Sequence, residues 1–259
     1  MNEAADTAPV VVVTEGGDHI WAIVNAIADR FANVTVILET PISKWSLLKR
    51  RAVRQGWVSV LGQIGTMVLV RLGKRFGTAH AEEIATEYNL KTQPKPGQDI
   101  VHVPSANAPE AIKVITDIKP GVVLLAGCRV LTSETLASIP CPVINYHAGI
   151  NPKYRGMNGA YWALVNNDVE NFGTTVHLVD AGVDTGAVLR HTRGKPGRGD
   201  TISSYPLRQA AISRDACVDV VEKVLAGRIE PFDPGLPSQI WFHPTVWSYV
   251  WTGLRRNIW

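Results

Sequence analysis

The stretch Val-Ile-Asn-Tyr-His, residues 143–147, decides the fold of this chain. Its first two residues are β-branched and apolar, two nearby prolines precede them and a glycine-rich loop follows, which predicts a short buried strand. Asn145 and His147 then fall near the C-terminal end of that strand. Because residues i and i+2 of a strand share a face, both polar side chains point the same way and Tyr146 points to the other side. The stretch predicts a small polar site at the edge of a sheet.

Two further segments extend this region to Leu189. A loop over residues 148–159 has Tyr-Arg-Gly (154–156) at its centre. The alternating segment Gly-Thr-Thr-Val-His-Leu-Val-Asp (173–180) predicts another strand, and Asp184 lies in the turn after it. Asp184 follows His147 by 37 residues, so only tertiary folding can bring its carboxylate to the imidazole. A single His or Asp at a strand end is more often a hydrogen-bonded structural residue, and it is the combined pattern that favours a site.

The rest of the chain predicts an α/β fold. An apolar run at 9–13, a glycine turn, apolar residues at helical spacing from Ile20 and a second apolar run at 34–38 indicate a β-α-β opening with a right-handed parallel connection. The turn lacks Gly-x-Gly-x-x-Gly, which argues against a dinucleotide site. The almost wholly apolar segment 121–126 is typical of a central parallel strand. We expect a Rossmann-like, open, mainly parallel sheet with helices on both faces.

Helix boundaries follow from capping residues. Pro109 is expected to open a helix with Ser105 or Asn107 as its N-cap, and Thr132 or Ser133 is expected to cap the next one. A long amphipathic helix is predicted over 201–226, because Gly227 is a normal residue after a helix end.

Residues 41–77 form an apparent insertion. The apolar run at 57–70 has fourteen positions, fewer than the ~18 that a membrane span needs. We interpret the insertion as a helical pair packed on the domain; the alternative is a basic amphipathic surface that makes peripheral contact with a membrane or another anionic partner. Basic residues flank the run on both sides: Lys44, Lys49, Arg50, Arg51, Arg54, Arg71, Lys74 and Arg75. The aromatic tail, 231–259, either packs on its own domain, stacks on nucleobases or sits at a membrane interface.

Composition narrows the class of protein. With 259 residues, 46% hydrophobic and 19% charged, the chain suits a globular domain with a proper core. A net charge of +3 suits an anionic substrate but falls short of the profile of a nucleic-acid binder. The three cysteines are widely spaced, and the polar N-terminus does not have the pattern of a signal peptide, which predicts a reduced, metal-free, cytoplasmic protein.

The central motifs resemble the formyltransferase family that uses 10-formyltetrahydrofolate, which includes glycinamide ribonucleotide transformylase, methionyl-tRNA formyltransferase and the sugar N-formyltransferases. The family pattern is Asn-x-His, a Leu-Pro loop, a glycine, Gly-Thr-x-x-His and the turn Asp-x-Gly-x-Asp-x-Gly. Its counterparts here are residues 145–147, 152–156, 173–177 and 180–186. The usual Ser-Leu-Leu after the histidine is Gly-Ile-Asn (149–151) in this chain. The resemblance covers roughly residues 100 to 230, and it implies the formyltransferase fold.

The resemblance also implies roles for individual residues. Asn145 and a protonated His147 would donate hydrogen bonds to the oxyanion of a tetrahedral intermediate, and Asp184 would favour the imidazolium and take up the proton that leaves the amine. The formyl donor, 10-formyltetrahydrofolate, would be held by Cys128, Arg129, Val130, Leu131, Asp180 and Gly182. No metal is implied.

For the acceptor, the resemblance favours a nucleotide-linked 4-amino sugar of surface polysaccharide (O-antigen) synthesis. The residues expected to contact it are Tyr154, Arg155, Gly156 and Trp162. Asp18 and His19 stand where the glycinamide ribonucleotide enzymes have a Gly-Ser-Asn that meets the substrate phosphate. A catalytic domain over 1–230 and a C-terminal extension over 231–259 leave about 30 residues for the β-domain that methionyl-tRNA enzymes add, which makes tRNA the weaker option.

Two other interpretations stay open. One is a glycinamide ribonucleotide transformylase, and the other is a folate-binding or membrane-surface module without turnover. The sequence does not decide between a monomer and a homodimer.

Overall fold

The computed structural model describes residues 8–41, 52, 53 and 55–259, and at 74–77 it describes the backbone only. A seven-stranded sheet lies at its centre, with strand order β3-β2-β1-β4-β5-β7-β8. The strands are β1 (Val10–Thr14), β2 (Val34–Glu39), β3 (Asp99–Val103), β4 (Val122–Ala126), β5 (Val143–His147), β7 (Gly173–Leu178) and β8 (Val188–Arg193). Two short strands, β6 (Arg155–Gly156) and β9 (Ile240–Trp241), pair with each other outside this sheet.

The sheet is mainly parallel, as the sequence predicts. Strands β1 to β5 run parallel, whereas β7 and β8 pair antiparallel at one edge. Every residue of β1 and β4 is buried, which agrees with the apolar sequence of β4 and of the four valines that begin β1. The α/β fold class is confirmed.

Helices cover both faces of the sheet. They are α1 (Asp18–Arg30), α2 (Trp57–Glu87), α3 (Pro109–Ile118), α4 (Ser133–Ser138), α5 (Gly159–Val165), α6 (Tyr205–Leu225) and α7 (Val246–Arg256). One apolar core lies between the sheet and the helices α1 and α6. A second core lies on the opposite face, under α3. These two layers hold the C-terminal ends of the parallel strands in a fixed arrangement.

The structure tests several local predictions. In the described part of the insertion, residues 52, 53 and 55 are helical, the helix breaks at Gly56, and α2 then begins at Trp57 and continues across the glycines at 62, 65 and 73 and beyond residue 77. The predicted helical pair stays a prediction. Residues 42–51 and 54, with their five basic side chains, lie outside the described residues. The N-cap of α3 is Ala108, and the Asn107 side chain instead bridges the backbone at 130 and 132. Thr132 does cap α4, by accepting from the Thr135 N–H at 3.2 Å.

The tail packs back onto the domain. Strand β9 of the tail pairs with β6, a short strand inside the 148–159 loop that the sequence did not predict. Helix α7 packs on α2, where glycines at 62 and 65 leave room for Trp247 and Val246. The Thr66 hydroxyl donates to the Pro244 carbonyl at 2.8 Å. Among the described residues, no helix is long and apolar enough to cross a membrane.

Candidate active site

Asn145, His147 and Asp184 meet at the C-terminal end of β5. The Asn145 amide donates from Nδ2 to Oδ1 of Asp184 at 3.3 Å. Nδ1 of His147 lies 3.6 Å from Oδ2 of the same carboxylate. The side chains of His147 and Asp184 are 9% and 14% exposed, so both are largely withdrawn from water. Folding therefore brings together the three residues that the sequence placed in one site.

A fourth side chain, His177 of β7, completes this cluster. It lies opposite Asn145 in the antiparallel β5–β7 register, with Nε2 3.0 Å from Asn145 Nδ2 and 3.6 Å from Asp184 Oδ1. Its Nδ1 lies 2.6 Å from the Leu178 carbonyl oxygen, which can only accept. Nδ1 therefore carries a hydrogen, and in the neutral ring Nε2 accepts from Asn145. Both N–H groups of the Asn145 amide are thus directed at Asp184 and His177, and in this arrangement the amide orients those two groups.

His177 had no role in the sequence interpretation, although it is the last residue of the Gly-Thr-x-x-His motif. That motif was the available signal. Its position against Asn145 depends on the strand register and on an irregularity at Val176/His177 in the β7–β8 pairing, neither of which the sequence encodes in a readable way.

The turn after β7 fixes Asp184. Oδ1 of Asp180 accepts from the Gly182 N–H at 3.0 Å and from the Thr185 hydroxyl at 2.6 Å, which closes the turn. Asp184 itself has a left-handed φ of 52°, a conformation that Asp adopts more readily than most residues. A Cβ at Gly186 would lie 1.7 Å from the Leu178 carbonyl oxygen, so the turn requires glycine there. The predicted contacts of Asp180 and Gly182 with a formyl donor stay predictions.

The surroundings keep Asp184 ionised. Burial alone would raise the pKa of this carboxyl. The charge of His147, the neighbouring His177 ring and the Gly156 N–H, which donates to Oδ2 at 2.9 Å, together outweigh it and hold the pKa well below its usual range. A carboxylate beside two imidazoles is therefore present at every pH near neutrality.

A backbone carbonyl fixes the orientation of His147. Nε2 of the ring donates to the Tyr154 carbonyl oxygen at 2.8 Å. Gly149 makes this contact possible, because a Cβ there would lie 2.4 Å from that oxygen and 2.6 Å from Nε2. The glycine that replaces the family's usual serine thus has a packing reason. With Nε2 occupied, Nδ1 is the ring atom that remains for a ligand, since 3.6 Å to Asp184 exceeds a hydrogen bond.

The side chain of Tyr154 is a core residue. It is fully buried, its hydroxyl donates to Oδ2 of Asp168 at 2.7 Å, and Lys153 forms an ion pair with the same oxygen at 2.5 Å. Burial would raise the pKa of the Asp168 carboxyl, but the hydrogen bonds from Lys153, Tyr154 and Asn171 lower it below its usual value. The predicted substrate contact of Tyr154 is therefore not made by its ring; the part that faces the cluster is its carbonyl.

The other three predicted acceptor residues have different environments. Arg155 donates from Nη1 to the Val183 carbonyl at 3.0 Å, and its buried Nε has no hydrogen-bond partner among the described residues. Gly156 has a φ of 88° and donates to Asp184, as above. Trp162 stacks on Trp241 with ring centroids 4.7 Å apart and donates to the Phe242 carbonyl at 2.8 Å. The tail therefore occupies the ring of Trp162, a contact that the sequence could not reveal.

The predicted donor loop follows β4, the strand beside β5. The Arg129 N–H donates to buried Glu39 at 2.5 Å, and its guanidinium donates to the carbonyls of Pro104 and Thr40. Leu131 is buried, whereas Val130 is 55% exposed. Burial raises the pKa of the Cys128 thiol, which removes its nucleophilic form at neutral pH. The loop is thus a firmly held backbone segment with one apolar side chain facing solvent.

A cavity of about 780 Å³ lies beside the turn after β1. Its walls include Asp18 and His19 at the start of α1, residues of α2, the hydroxyl of Ser203, and the aromatic rings of Tyr249 and Trp259. Burial lowers the pKa of His19 to about 4, against the opposing effect of Asp18, so the imidazole is neutral at pH 7. Only β4 separates β1 from β5, so the turn after β1, which contributes to the cavity, and the end of β5 lie at the same edge of the sheet.

The arrangement of His, Cys, Asp and Glu side chains bears on metal binding. Within the described part of the chain, no group of three or more His, Cys, Asp or Glu side chains could hold a metal ion. The cysteines there are free: Cys128, Cys141 and Cys217.

With fold and cluster defined, similarity to known proteins identifies the family. A family model described as formyl transferase matches residues 72–221, more than half of the chain and a range that includes the whole cluster. The chain belongs to the formyl transferase family.

Individual relatives carry several names. The methionyl-tRNA formyltransferase of Clostridium novyi (strain NT) is 29% identical over 163 residues, which is 61% of this chain and 49% of that protein. That of Cyanothece sp. (strain PCC 7425) is 32% identical over 124 residues, 48% of this chain and 36% of that protein. The chain thus spans about half or less of the length of these curated relatives.

Solved structures share the fold. A sugar N-formyltransferase from Shewanella sp. FDAARGOS_354 superposes with a TM-score of 0.55 at 17% identity, covering 90% of this chain and 76% of that one. Glycinamide ribonucleotide transformylase 1 from Symbiobacterium toebii gives 0.56 at 19% identity, covering 86% and 90%. The predicted fold and family are confirmed, and these relatives leave the acceptor undecided.

Proposed function

We propose that this chain transfers the formyl group of 10-formyltetrahydrofolate to a primary amine. The observation that carries the proposal is the cluster at the end of β5, in which one ionised Asp184 contacts Asn145 and lies beside two histidines. The folate supplies the formyl carbon when bound. In the overall reaction, a bond forms between the amine nitrogen and that carbon, and the bond from the carbon to the folate nitrogen breaks.

Each residue of the cluster has its own role in the proposed reaction. Nδ1 of His147, protonated, donates to the oxyanion that develops on the formyl group, while the Tyr154 carbonyl keeps the ring in place. Asp184 stabilises the imidazolium and, because its pKa is low, relays the proton that the amine loses toward the departing folate nitrogen rather than retaining it. The Asn145 amide donates to the Asp184 carboxylate and to Nε2 of His177, and so holds both in place. Each step uses a group that is already placed, so little reorganisation is needed at the moment of reaction.

The loop after β4 fits the formyl donor. Its backbone is tied down through Glu39 and Arg129, and the exposed Val130 offers an apolar contact for a flat heterocycle one strand away from His147. We assign donor binding to residues 128–131 on this basis.

For the acceptor, we propose a nucleotide-linked 4-amino sugar. The cavity beside β1 has a volume in the range of small-molecule sites and combines hydroxyl groups with two aromatic rings. Tyr249 and Trp259, rather than the occupied Trp162, are the aromatic candidates for the base. The Asp18 carboxylate in the first turn of α1 opposes a phosphate at that helix end. The Nε of Arg155, for which the described part of the chain offers no hydrogen-bond partner, is a donor available to an anionic group.

The names of the relatives supply two other acceptors, methionyl-tRNA and glycinamide ribonucleotide. A formylation assay with 10-formyltetrahydrofolate tests all three in one panel with UDP-, GDP- and dTDP-linked 4-amino sugars. The proposal predicts turnover of at least one nucleotide sugar with a kcat/KM at least tenfold above either alternative. Efficient formylation of methionyl-tRNA or of the ribonucleotide, with no turnover of any sugar, would replace it.

Arg155→Ala refines the same test. A charge-assisted hydrogen bond is worth about 1.5 to 3 kcal/mol, so the KM for the acceptor is expected to rise roughly ten- to a hundredfold while the KM for the folate stays near that of the wild type. Arg228→Ala, an exposed arginine after α6, is the matched control. Equal effects on both substrates would mean that Arg155 only ties down its own loop.

A further inference from the structure

Helices α2 and α7 together present an exposed apolar face, defined here by six side chains that are each more than half exposed: Trp57, Leu61, Val68, Leu72, Trp251 and Leu254. The four from α2 recur at intervals of four and seven residues, which places them on one side of that helix. The two from α7 are three residues apart and share a side in the same way. The tail therefore does not cover the apolar side of α2; it adds to it.

The apolar side chains on α2 and those on α7 form two stripes, one on each helix, and the stripes are adjacent. Helix α7 packs on α2 at Gly62 and Gly65, whose missing side chains let the helices approach closely. The Trp247 ring touches Gly62 and is still 54% exposed, so it connects the two stripes. An exposed apolar patch of this kind, built from large side chains on adjacent helices, marks a site of interaction.

The charges of the chain are segregated along its sequence. The two segments that contribute it, 40–81 and 234–259, carry ten of the 26 Lys and Arg residues and none of the 23 Asp and Glu residues. Arg71 and Arg255 are exposed on α2 and α7 themselves, and the Arg255 guanidinium lies 4.4 Å from the centroid of the Trp251 ring. The remainder of the chain has an excess of acids. Among the described side chains, Arg71 and Arg255 place positive charge at the apolar face, whereas the acids of α2, Glu82, Glu83 and Glu87, lie beyond it at the C-terminal end of the helix.

We propose that the apolar face binds the surface of a membrane that contains anionic phospholipid, with α7 and residues 57–73 of α2 lying in the interface. Tryptophans, aliphatic side chains and basic residues without acids form the composition that interfacial helices use: rings and alkyl groups enter the headgroup region while lysine and arginine meet lipid phosphates. A second copy of the chain is disfavoured as the occupant, because a symmetric contact would bring the exposed arginines of this face, Arg71 and Arg255, of both copies together.

Co-sedimentation with vesicles tests this proposal. Full-length protein is mixed with vesicles of pure phosphatidylcholine or of phosphatidylcholine with phosphatidylglycerol at three to one, at low and high salt. We expect binding to the anionic vesicles at least tenfold tighter than to the neutral ones, with weakening as salt rises. Leu61→Gln/Leu72→Gln/Leu254→Gln should lower the affinity at least tenfold, and Arg71→Gln/Arg255→Gln several-fold with a smaller dependence on salt.

Matched control variants distinguish vesicle binding by the apolar face from nonspecific adsorption of the protein. Ile229→Gln removes an exposed apolar side chain elsewhere, and Lys113→Gln/Lys119→Gln removes the same number of charges from α3 and its C-cap; both should bind as the wild type does. Thermal unfolding midpoints check that each variant is folded, and Leu254→Gln alone serves if the triple variant is not. Absence of vesicle binding, or equal binding by the triple variant, overturns the proposal. So does a dimer, measured by sedimentation equilibrium without lipid, that the triple variant converts to a monomer.

Discussion

At the scale of single residues, a hydrogen bond to a backbone carbonyl determines which ring nitrogen of His147 is available to a ligand. The carbonyl belongs to Tyr154, and its position depends on the Tyr154 hydroxyl bound to Asp168 and on the ion pair of Asp168 with Lys153. None of the three side chains belongs to the cluster itself. They act on the reaction through the orientation of His147, as positioning residues.

Tyr154→Phe removes the hydroxyl that anchors this carbonyl. We expect kcat to fall about five- to twentyfold, the equivalent of one net hydrogen bond of about 1 to 2 kcal/mol, with little change in either KM. The pH profile of kcat should shift as well, because the imidazolium loses part of its acceptor. Asp29→Asn, which breaks an ion-paired carboxylate on α1, is the control and should leave kcat and its pH profile as they are. A change in stability alone, with an unaltered pH profile, would make Tyr154 merely structural.

The same residues show what the sequence could predict. The common direction of Asn145 and His147 follows from the two-residue period of a strand, and Asp184 was found through the motif resemblance. The burial of Tyr154 and Trp162 depends on Trp241, some 80 residues further on, and no local pattern encodes that contact. The two aromatic residues therefore looked like ligand contacts in the sequence.

At the scale of elements, close packing of α7 on α2 depends on glycine at particular positions of α2. A Cβ at Gly62 would lie 2.4 Å from the Trp247 ring, whereas a Cβ at Gly73 of the same helix meets nothing within 4 Å. Gly62→Ala should lower the free energy of unfolding by about 1 to 3 kcal/mol through overpacking. Gly73→Ala should raise it by up to about 1 kcal/mol, because alanine favours the helix. Urea unfolding measures both, and effects of the same sign would contradict the packing of α7.

The C-terminal half of α2 is attached through a buried charge. Nε2 of His80 lies 2.8 Å from Oδ1 of Asp200, whose side chain is fully buried and also pairs with Arg208 of α6. Burial would lower the pKa of His80, but its hydrogen bonds with Asp200 and Glu83 outweigh this and raise the pKa above the ordinary value of 6.5. The contribution of His80 to stability is therefore complete below about pH 6.5 and is lost as the pH rises through the raised pKa.

This attachment predicts a pH-dependent difference between the wild type and His80→Gln. The loss of unfolding free energy in the variant should be about 1 kcal/mol near pH 6 and should shrink toward pH 9. Urea unfolding at several pH values between these limits measures it. His102→Gln, an exposed histidine on β3, should give no such trend. A difference that grows as the pH rises would refute the assignment of His80.

At the scale of the whole molecule, the parallel sheet places the segments of the proposed site at one edge. The turn after β1, the loop after β4 and the polar end of β5 all follow C-terminal strand ends, where open α/β sheets bind ligands. The apolar strands and the β-α-β opening predicted this arrangement. The course of residues 231–259 back over α2 and α5 was not predictable, since its contacts are made with elements far away in the sequence.

The central claim is that the cluster at the end of β5 performs formyl transfer. It is tested most directly by measuring kcat for His147→Ala and Asp184→Ala with 10-formyltetrahydrofolate and whichever acceptor the panel identifies, both at saturation, beside His102→Ala as a matched control. Each of the first two variants removes charge stabilisation or proton transfer, so kcat should fall by about two orders of magnitude or more, with the fold retained and the control unaffected. Near-wild-type turnover in either of these two folded variants would contradict the claim.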